Sequence, residues 1–293
     1  MEKICLMADS ACDLTREMAE KYDIRILPVT ITYAGSEHKE FEEIDITEYW
    51  EFLDTNEEQP TTAQITPTQY IEAFLRAKED GYTKVIFLAI NAAGSGTYNS
   101  GVIARDLFYG EYGEDMEIRV IDSQNYSYAY GAALILARRA IENGASFEEV
   151  VSLIEDHTSR VEAAAAVFTL RNLRKSGRVK GAAAIAGELL GIKPIIHLCS
   201  CGVDVVGKVR GDKAAVAGLI KFVDSRIDKT APQKDTVCIL YAKTPDEYAE
   251  MIEEYFHREF GIEDVIRVPL GGSICTNTGP NIVGIVYYGE KRA

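Results

Sequence analysis

Short apolar runs of strand length alternate with helix-length stretches through the first half of this chain, and that alternation restricts the fold more than any other feature. The runs at 4–8, 24–33, 85–90 and 118–121 are brief, and the last three are rich in Ile and Val. Helix candidates lie between and after them at 14–22, 67–79, 98–107 and 129–143. Thr66 before Pro67 reads as an N-cap and first helical position, and Asn143-Gly144 reads as a helix stop. Strand, helix and strand in regular succession predict a mainly parallel sheet with helices on both faces, an α/β/α layering.

The second half has a different texture. A helical stretch at 146–159 leads into an alanine-rich run at 163–168 and a basic cluster at 171–178. The apolar segment 192–198, closed by Gly202 and Gly207, reads as a hairpin. Helices at 213–226 and 245–260 and strands at 236–241, 265–268 and 282–288 complete an α+β unit. A boundary near residue 160 divides the chain into 1–160 and 161–293. A length of 293 residues suits two such units.

Hydrophobic residues make up 47% and charged residues 26%, the balance of an ordinary globular protein. The formal charge is −15, from 46 acidic against 31 basic residues. Such a surface repels nucleic acid and anionic lipid headgroups, so neither nucleic-acid binding nor stable membrane insertion is expected. Asp9 interrupts the first apolar run too early for a signal peptide, no run of about 18 apolar residues follows, and a cytoplasmic location is expected. Six scattered cysteines read as reduced thiols. Cys199-Ser200-Cys201 lacks the two-residue spacing of a zinc knuckle or redox motif and reads as a strand or turn, and no metal is expected.

In a parallel sheet, ligands bind beyond the carboxyl ends of the strands. Asp9-Ser10, the segment Asn91-Ala92-Ala93-Gly94-Ser95-Gly96-Thr97-Tyr98 and Asp122-Ser123 all fall there. The second of these lacks the outer glycines of a nucleophile elbow and the G-x-G-x-x-G spacing of a dinucleotide loop. Three readings stay open: a tight strand-to-helix turn, a cradle for a carboxylate or phosphate at a helix N-terminus, and a nucleophilic Ser95. The four histidines, at 38, 157, 197 and 257, lie outside this and the other small-residue loops, which weighs against a serine hydrolase. In Pro60-Thr61-Thr62-Ala63-Gln64-Ile65-Thr66-Pro67, capping uses Thr66 and leaves Thr61, Thr62 and Gln64 to donate elsewhere. The glycine-rich stretch 271–281 reads either as a loop between strands or as a place of close backbone approach to a ligand. Arg171, Arg174, Lys175 and Arg178 concentrate positive charge in an otherwise acidic chain.

Taken in order, these segments resemble the DegV family of bacterial fatty-acid-binding proteins. The resemblance is carried by Ala8-Asp9-Ser10-Ala11-Cys12-Asp13-Leu14, Thr62-Ala63-Gln64-Ile65-Thr66-Pro67, Gly94-Ser95-Gly96-Thr97-Tyr98-Asn99-Ser100 and Val120-Ile121-Asp122-Ser123. It continues through Thr169-Leu170-Arg171-Asn172-Leu173-Arg174-Lys175-Ser176-Gly177-Arg178, Gly191-Ile192-Lys193-Pro194-Ile195 and Thr276-Asn277-Thr278-Gly279-Pro280. It implies a two-domain DegV-like α/β fold, with an N-terminal three-layer α/β/α domain and a C-terminal two-layer α+β domain. It further implies a long-chain, palmitate-like fatty acid between the domains, with its carboxylate held by Thr62 and Ser95. Thr61, Gly96, Thr97, Arg171 and Asn277 are candidates for further head-group contacts. Asn277 stands where the fatty acid kinase members of the family usually carry a histidine.

The implied role is a non-enzymatic carrier without cofactor or metal. It would present the carboxylate to a separate fatty acid kinase catalytic subunit for acyl-phosphate formation. The alternatives are a lipid carrier with no kinase partner and a serine esterase using Ser95.

Overall fold

The computed structural model describes residues 3–180 and 191–292. In chain order the first half gives β1 (Ile4–Asp9), α1 (Arg16–Lys21), β2 (Ile24–Leu27), β3 (Thr30–Tyr33), β4 (Ser36–Lys39), α2 (Glu40–Glu43) and α3 (Ile46–Thr55). It continues with β5 (Thr61–Ala63), α4 (Pro67–Glu79), β6 (Lys84–Ala89), α5 (Thr97–Tyr112), β7 (Glu117–Asp122), α6 (Tyr128–Glu142) and α7 (Phe147–Arg160). Strands β1, β2, β6 and β7 form an all-parallel sheet in the order β2-β1-β6-β7.

Both faces of such a sheet must be covered, and the period-2 alternation of side chains divides them. Cys5, Met7, Val85 and Phe87 share one core with Tyr70 and Phe74 of α4 and with Ala104 and Phe108 of α5. Ile4, Leu6, Ala8, Ile86 and Leu88 share another with Ala129, Ala133 and Leu134 of α6. The α/β/α layering expected from the sequence is therefore present.

The run at 24–33, expected as one strand, divides in two. Pro28 has no N–H to continue the ladder, so β2 ends at Leu27 and β3 joins a small antiparallel sheet, β4-β3-β5.

The second half gives β8 (Val161–Val167), α8 (Arg171–Lys175), β9 (Val179–Lys180), β10 (Ile192–Cys199), β11 (Gly202–Arg210), α9 (Asp212–Asp224) and β12 (Cys238–Tyr241). It ends with α10 (Asp246–Phe260), β13 (Ile266–Pro269), α11 (Gly272–Thr278) and β14 (Ile282–Tyr288). Its strands form a mixed seven-stranded sheet, β13-β12-β14-β8-β10-β11-β9. The alanine-rich run is the central strand β8, antiparallel to β14 and β10 and buried along its whole length. Ala164 and Ala166 lie in a core with α9 and α10, and Ala163 and Ala165 lie in the core that includes α6. One core thus runs from the parallel sheet through α6 into the second sheet.

The stretch 271–281 contains a short helix, α11. The Thr276 and Thr278 hydroxyls donate back to the Gly272 and Ile274 carbonyls at 2.7 and 3.0 Å. Among the described residues no helix is long and apolar enough to cross a membrane.

Candidate functional site

The segment after β6 is organised by Asn91, which is buried. Its N–H donates to the Asn125 carbonyl at 3.0 Å, and its carbonyl accepts from the Gly94 and Ser95 N–H groups at 3.0 and 3.2 Å. Its side-chain oxygen accepts from the Ala93 N–H at 2.8 Å. Its amide donates to the Cys199 and Ser200 carbonyls at 2.9 and 3.3 Å, which ties the Ser95 loop to the tip of the β10–β11 hairpin.

Two glycines then permit close approach. A Cβ on Gly94 would lie 2.6 Å from the Tyr126 hydroxyl, and one on Gly96 would lie 1.8 Å from Gln64 Oε1. Gln64 is held over the first turn of α5 by donating to Ser100 Oγ at 2.7 Å.

Ser95 Oγ accepts the Thr97 N–H at 3.2 Å and donates to Thr97 Oγ1 at 3.0 Å. The Thr97 hydroxyl proton is then directed away from Ser95, at the positive end of a helix of 16 residues.

Above this helix end lies a cavity of about 210 Å³, bounded by β5, the ends of β1 and β6, the β10–β11 hairpin and α11. Val29, Ile90, Ile196, Leu198, Val203 and Ile274 make its apolar wall. Thr62, Gln64, Ser95, Thr97, Tyr126 and Asn277 are among its polar lining residues, and Arg178 is the charged residue among the described lining residues. Burial pushes the Tyr126 phenol up, so it stays a neutral hydroxyl. The Asn277 amide donates to the Ser273 carbonyl at 2.8 Å.

Of the residues singled out from the sequence, Thr62, Ser95, Gly96, Thr97 and Asn277 meet at this cavity. Two do not. Thr61 is exposed, because strand alternation in β5 turns it away from Thr62. Arg171, at the start of α8, donates instead to the Leu53 carbonyl of α3. Arg178, from the same basic cluster, takes the place expected of Arg171. Gln64, one of the residues that capping leaves free to donate, also lines the cavity, and so does Tyr126, which no local sequence signal singles out.

Three buried carboxylates brace the floor beneath. Asp9 accepts from the Ile90 N–H at 2.8 Å, the Tyr130 hydroxyl at 2.6 Å and the Ala11 N–H at 3.2 Å. Burial nonetheless pushes its carboxyl up to about 6. Glu40 accepts from the Ser273 N–H and hydroxyl at 2.6 and 2.7 Å and from the Ser10 hydroxyl. Asp13 accepts from the Gly271 N–H at 3.0 Å and from the Ser127 hydroxyl. Burial, followed by the Glu40 charge, raises the Asp13 carboxyl well above the usual range. Together the three link the carboxyl end of β1 to Ile90 and to α11, two walls of the cavity.

Chemically, the arrangement sets hydroxyls and a helix N-terminus beside an apolar wall. Among the described lining residues there is no histidine that could act as base to Ser95. His157 of α7 is bonded to Tyr288 at 2.6 Å and His197 of β10 to Glu162 at 3.1 Å, and neither lines the cavity.

Comparison with known proteins agrees with this architecture. The chain is 33% identical over 291 residues to a DegV domain-containing protein of Clostridium perfringens, covering 99% of this chain and all of that one. A solved structure described as fatty acid binding of a DegV family protein from Thermus thermophilus superposes with a TM-score of 0.84 at 26% identity, covering 98% of this chain and all of that one. A DegV family protein from Eubacterium eligens loaded with heptadecanoic acid superposes with a TM-score of 0.82 at 26% identity and the same coverage. The family model described as "Uncharacterised protein, DegV family" matches residues 3–290, and the chain belongs to the DegV family.

Proposed function

We propose that this protein binds a long-chain, palmitate-like fatty acid in the cavity, with the carboxylate at the N-terminus of α5 held by the Thr62 and Ser95 hydroxyls, the Ser95 proton turning from Thr97 to the ligand. The observation that carries this reading is the pairing of an apolar wall with hydroxyls and a helix N-terminus in one cavity. The fatty acid in the Eubacterium eligens relative supports the ligand class. At ~0.8 kcal/mol per buried methylene, a C16 tail contributes on the order of 10 kcal/mol. An unpaired buried carboxylate would offset much of that gain, so donors at the head are required. Thr62, Ser95, Thr97 and Asn277 are groups of the right kind, with Arg178 as the nearby cation.

In this reading the chain is a carrier rather than an enzyme and works in the cytoplasm. Its halves, 1–160 and 161–293, act as the two domains that enclose the lipid. A separate fatty acid kinase catalytic subunit then takes the presented carboxylate to acyl-phosphate.

Native mass spectrometry of freshly purified protein tests the core of the proposal. Fatty acid adducts are expected, and they are lost in the Thr62→Ala, Ser95→Ala double variant. Protein that is purified lipid-free and takes up no palmitate refutes it.

A further inference from the structure

The tip of the β10–β11 hairpin brings together three groups that the sequence spacing does not announce. Cys199 Sγ and Cys201 Sγ lie 2.8 Å apart, and Asp204 Oδ2 lies 3.9 Å from the first and 3.7 Å from the second. Among the described residues this is the one set of three His, Cys, Asp or Glu ligand atoms within 4.8 Å of one another. We propose that Cys199, Cys201 and Asp204 bind a soft divalent cation of the Zn²⁺ or Cd²⁺ type, with solvent as the fourth ligand.

The chemistry of the donor set supports this. Two thiolates select soft metals, and a carboxylate completes a three-ligand face of the kind that leaves one position open. At a Zn–S distance of about 2.3 Å, ligand atoms of a tetrahedral site stand about 3.7 Å apart. The sulfur-to-carboxylate distances already match. The two sulfurs must separate by about 0.9 Å on that geometry, which rotation of the exposed Cys201 side chain supplies.

Access is also favourable. Cys201 is exposed and Cys199 half-buried, whereas Cys5, Cys12, Cys238 and Cys275 are buried. Binding is balanced by release of two thiol protons to solvent for each cation bound.

The carboxylate also separates this reading from a redox pair. Disulfide exchange proceeds through a thiolate, and the fixed negative charge of Asp204 opposes one. A divalent cation reverses that relation, because it attracts both sulfurs and the carboxylate at once. Cys199-Ser200-Cys201 is the strand end and turn expected of it, and Asp204 joins the cysteines only after the chain reverses into β11. The proposal does not depend on what fills the cavity.

The test is titration of the full chain with Cd²⁺, kept reduced with a non-chelating phosphine. Thiolate-to-metal charge-transfer absorbance, equilibrium dialysis and proton release are read together. One equivalent bound, with two protons released, is expected. Cys199→Ser and Cys201→Ser each abolish the band, Asp204→Asn weakens binding severalfold, and Cys5→Ala leaves it unchanged. Absence of binding by the reduced chain overturns the proposal. So does a band that survives in the Cys199→Ser, Cys201→Ser double variant, or a Cys199–Cys201 disulfide in a chain whose reduced form takes up no cation.

Discussion

Gly96 and Gly131 both exclude a Cβ, but against different obstacles, and the difference separates function from stability. A methyl on Gly96 meets the end of the Gln64 side chain, which can swing away. A methyl on Gly131 of α6 meets the Cys12 backbone carbonyl at 2.6 Å and Leu14 at 3.2 Å, and neither can yield without moving the turn after β1. Gly131→Ala is therefore expected to cost about 1–3 kcal/mol while retaining fatty acid uptake. Gly96→Ala releases Gln64 from Ser100, costs about 1 kcal/mol, and reduces uptake by opening the wall over α5. Chemical denaturation midpoints and palmitate uptake measured on both variants check this, and the opposite ranking contradicts it. The same pair shows how far single residues were legible. Gln64 is legible as a polar residue that capping leaves free, but its approach to Gly96, like that of Tyr126 to Gly94, joins distant segments and leaves no local mark.

At the scale of elements, legibility followed local chemistry. Helix α4 spans Pro67–Glu79, as its signals predicted. Thr66 Oγ1 accepts from the Gln69 N–H at 3.4 Å, and Gln69 Oε1 accepts from the Thr66 N–H at 2.8 Å. Such a capping box can be read in sequence because all its partners lie within one turn. Thr66→Ala is expected to lower stability by about 1 kcal/mol and to leave the bound lipid in place, read by denaturation alongside native mass spectrometry.

Strand β8 and helix α11 were illegible for the converse reason. Alanine favours helices, yet 163–166 is a strand because α6 and the α9–α10 layer close on its two sides and leave room only for methyls. A Cβ on Gly284 of β14 would already lie 3.3 Å from that of Ala165. Gly, Ser, Thr and Asn favour loops, yet α11 is a helix because Glu40 holds the Ser273 N–H, and Tyr49 of α3 bonds Thr276 at 2.7 Å. Helix α3 has an apolar face in Tyr49, Trp50 and Leu53 and an Asp45 N-cap, both local signals that a sequence carries.

For the molecule as a whole, two buried groups make stability depend on pH with opposite signs over nearly the same range. Asp9 is raised by burial from 3.8 to about 6. Its contribution is fully present below pH 3.8 and is lost as pH rises through about 6. His157 is lowered by burial from 6.5 to about 4. Its contribution is present above pH 6.5 and is lost as pH falls through about 4. Each shift corresponds to on the order of 3 kcal/mol, so the two largely cancel in the intact protein. Single substitutions separate them. The stability of His157→Asn relative to the parent chain is expected to rise as pH falls from 6.5 to 4, because over that range the imidazole takes up a proton in the unfolded parent and stays neutral in the folded one. The stability of Asp9→Asn relative to the parent is expected to rise as pH increases from 4 to 6, because over that range the carboxyl ionises in the unfolded parent and stays protonated in the folded one. Denaturant titrations at half-unit pH steps read both slopes. Parallel slopes in the two variants would show that the cancellation does not exist.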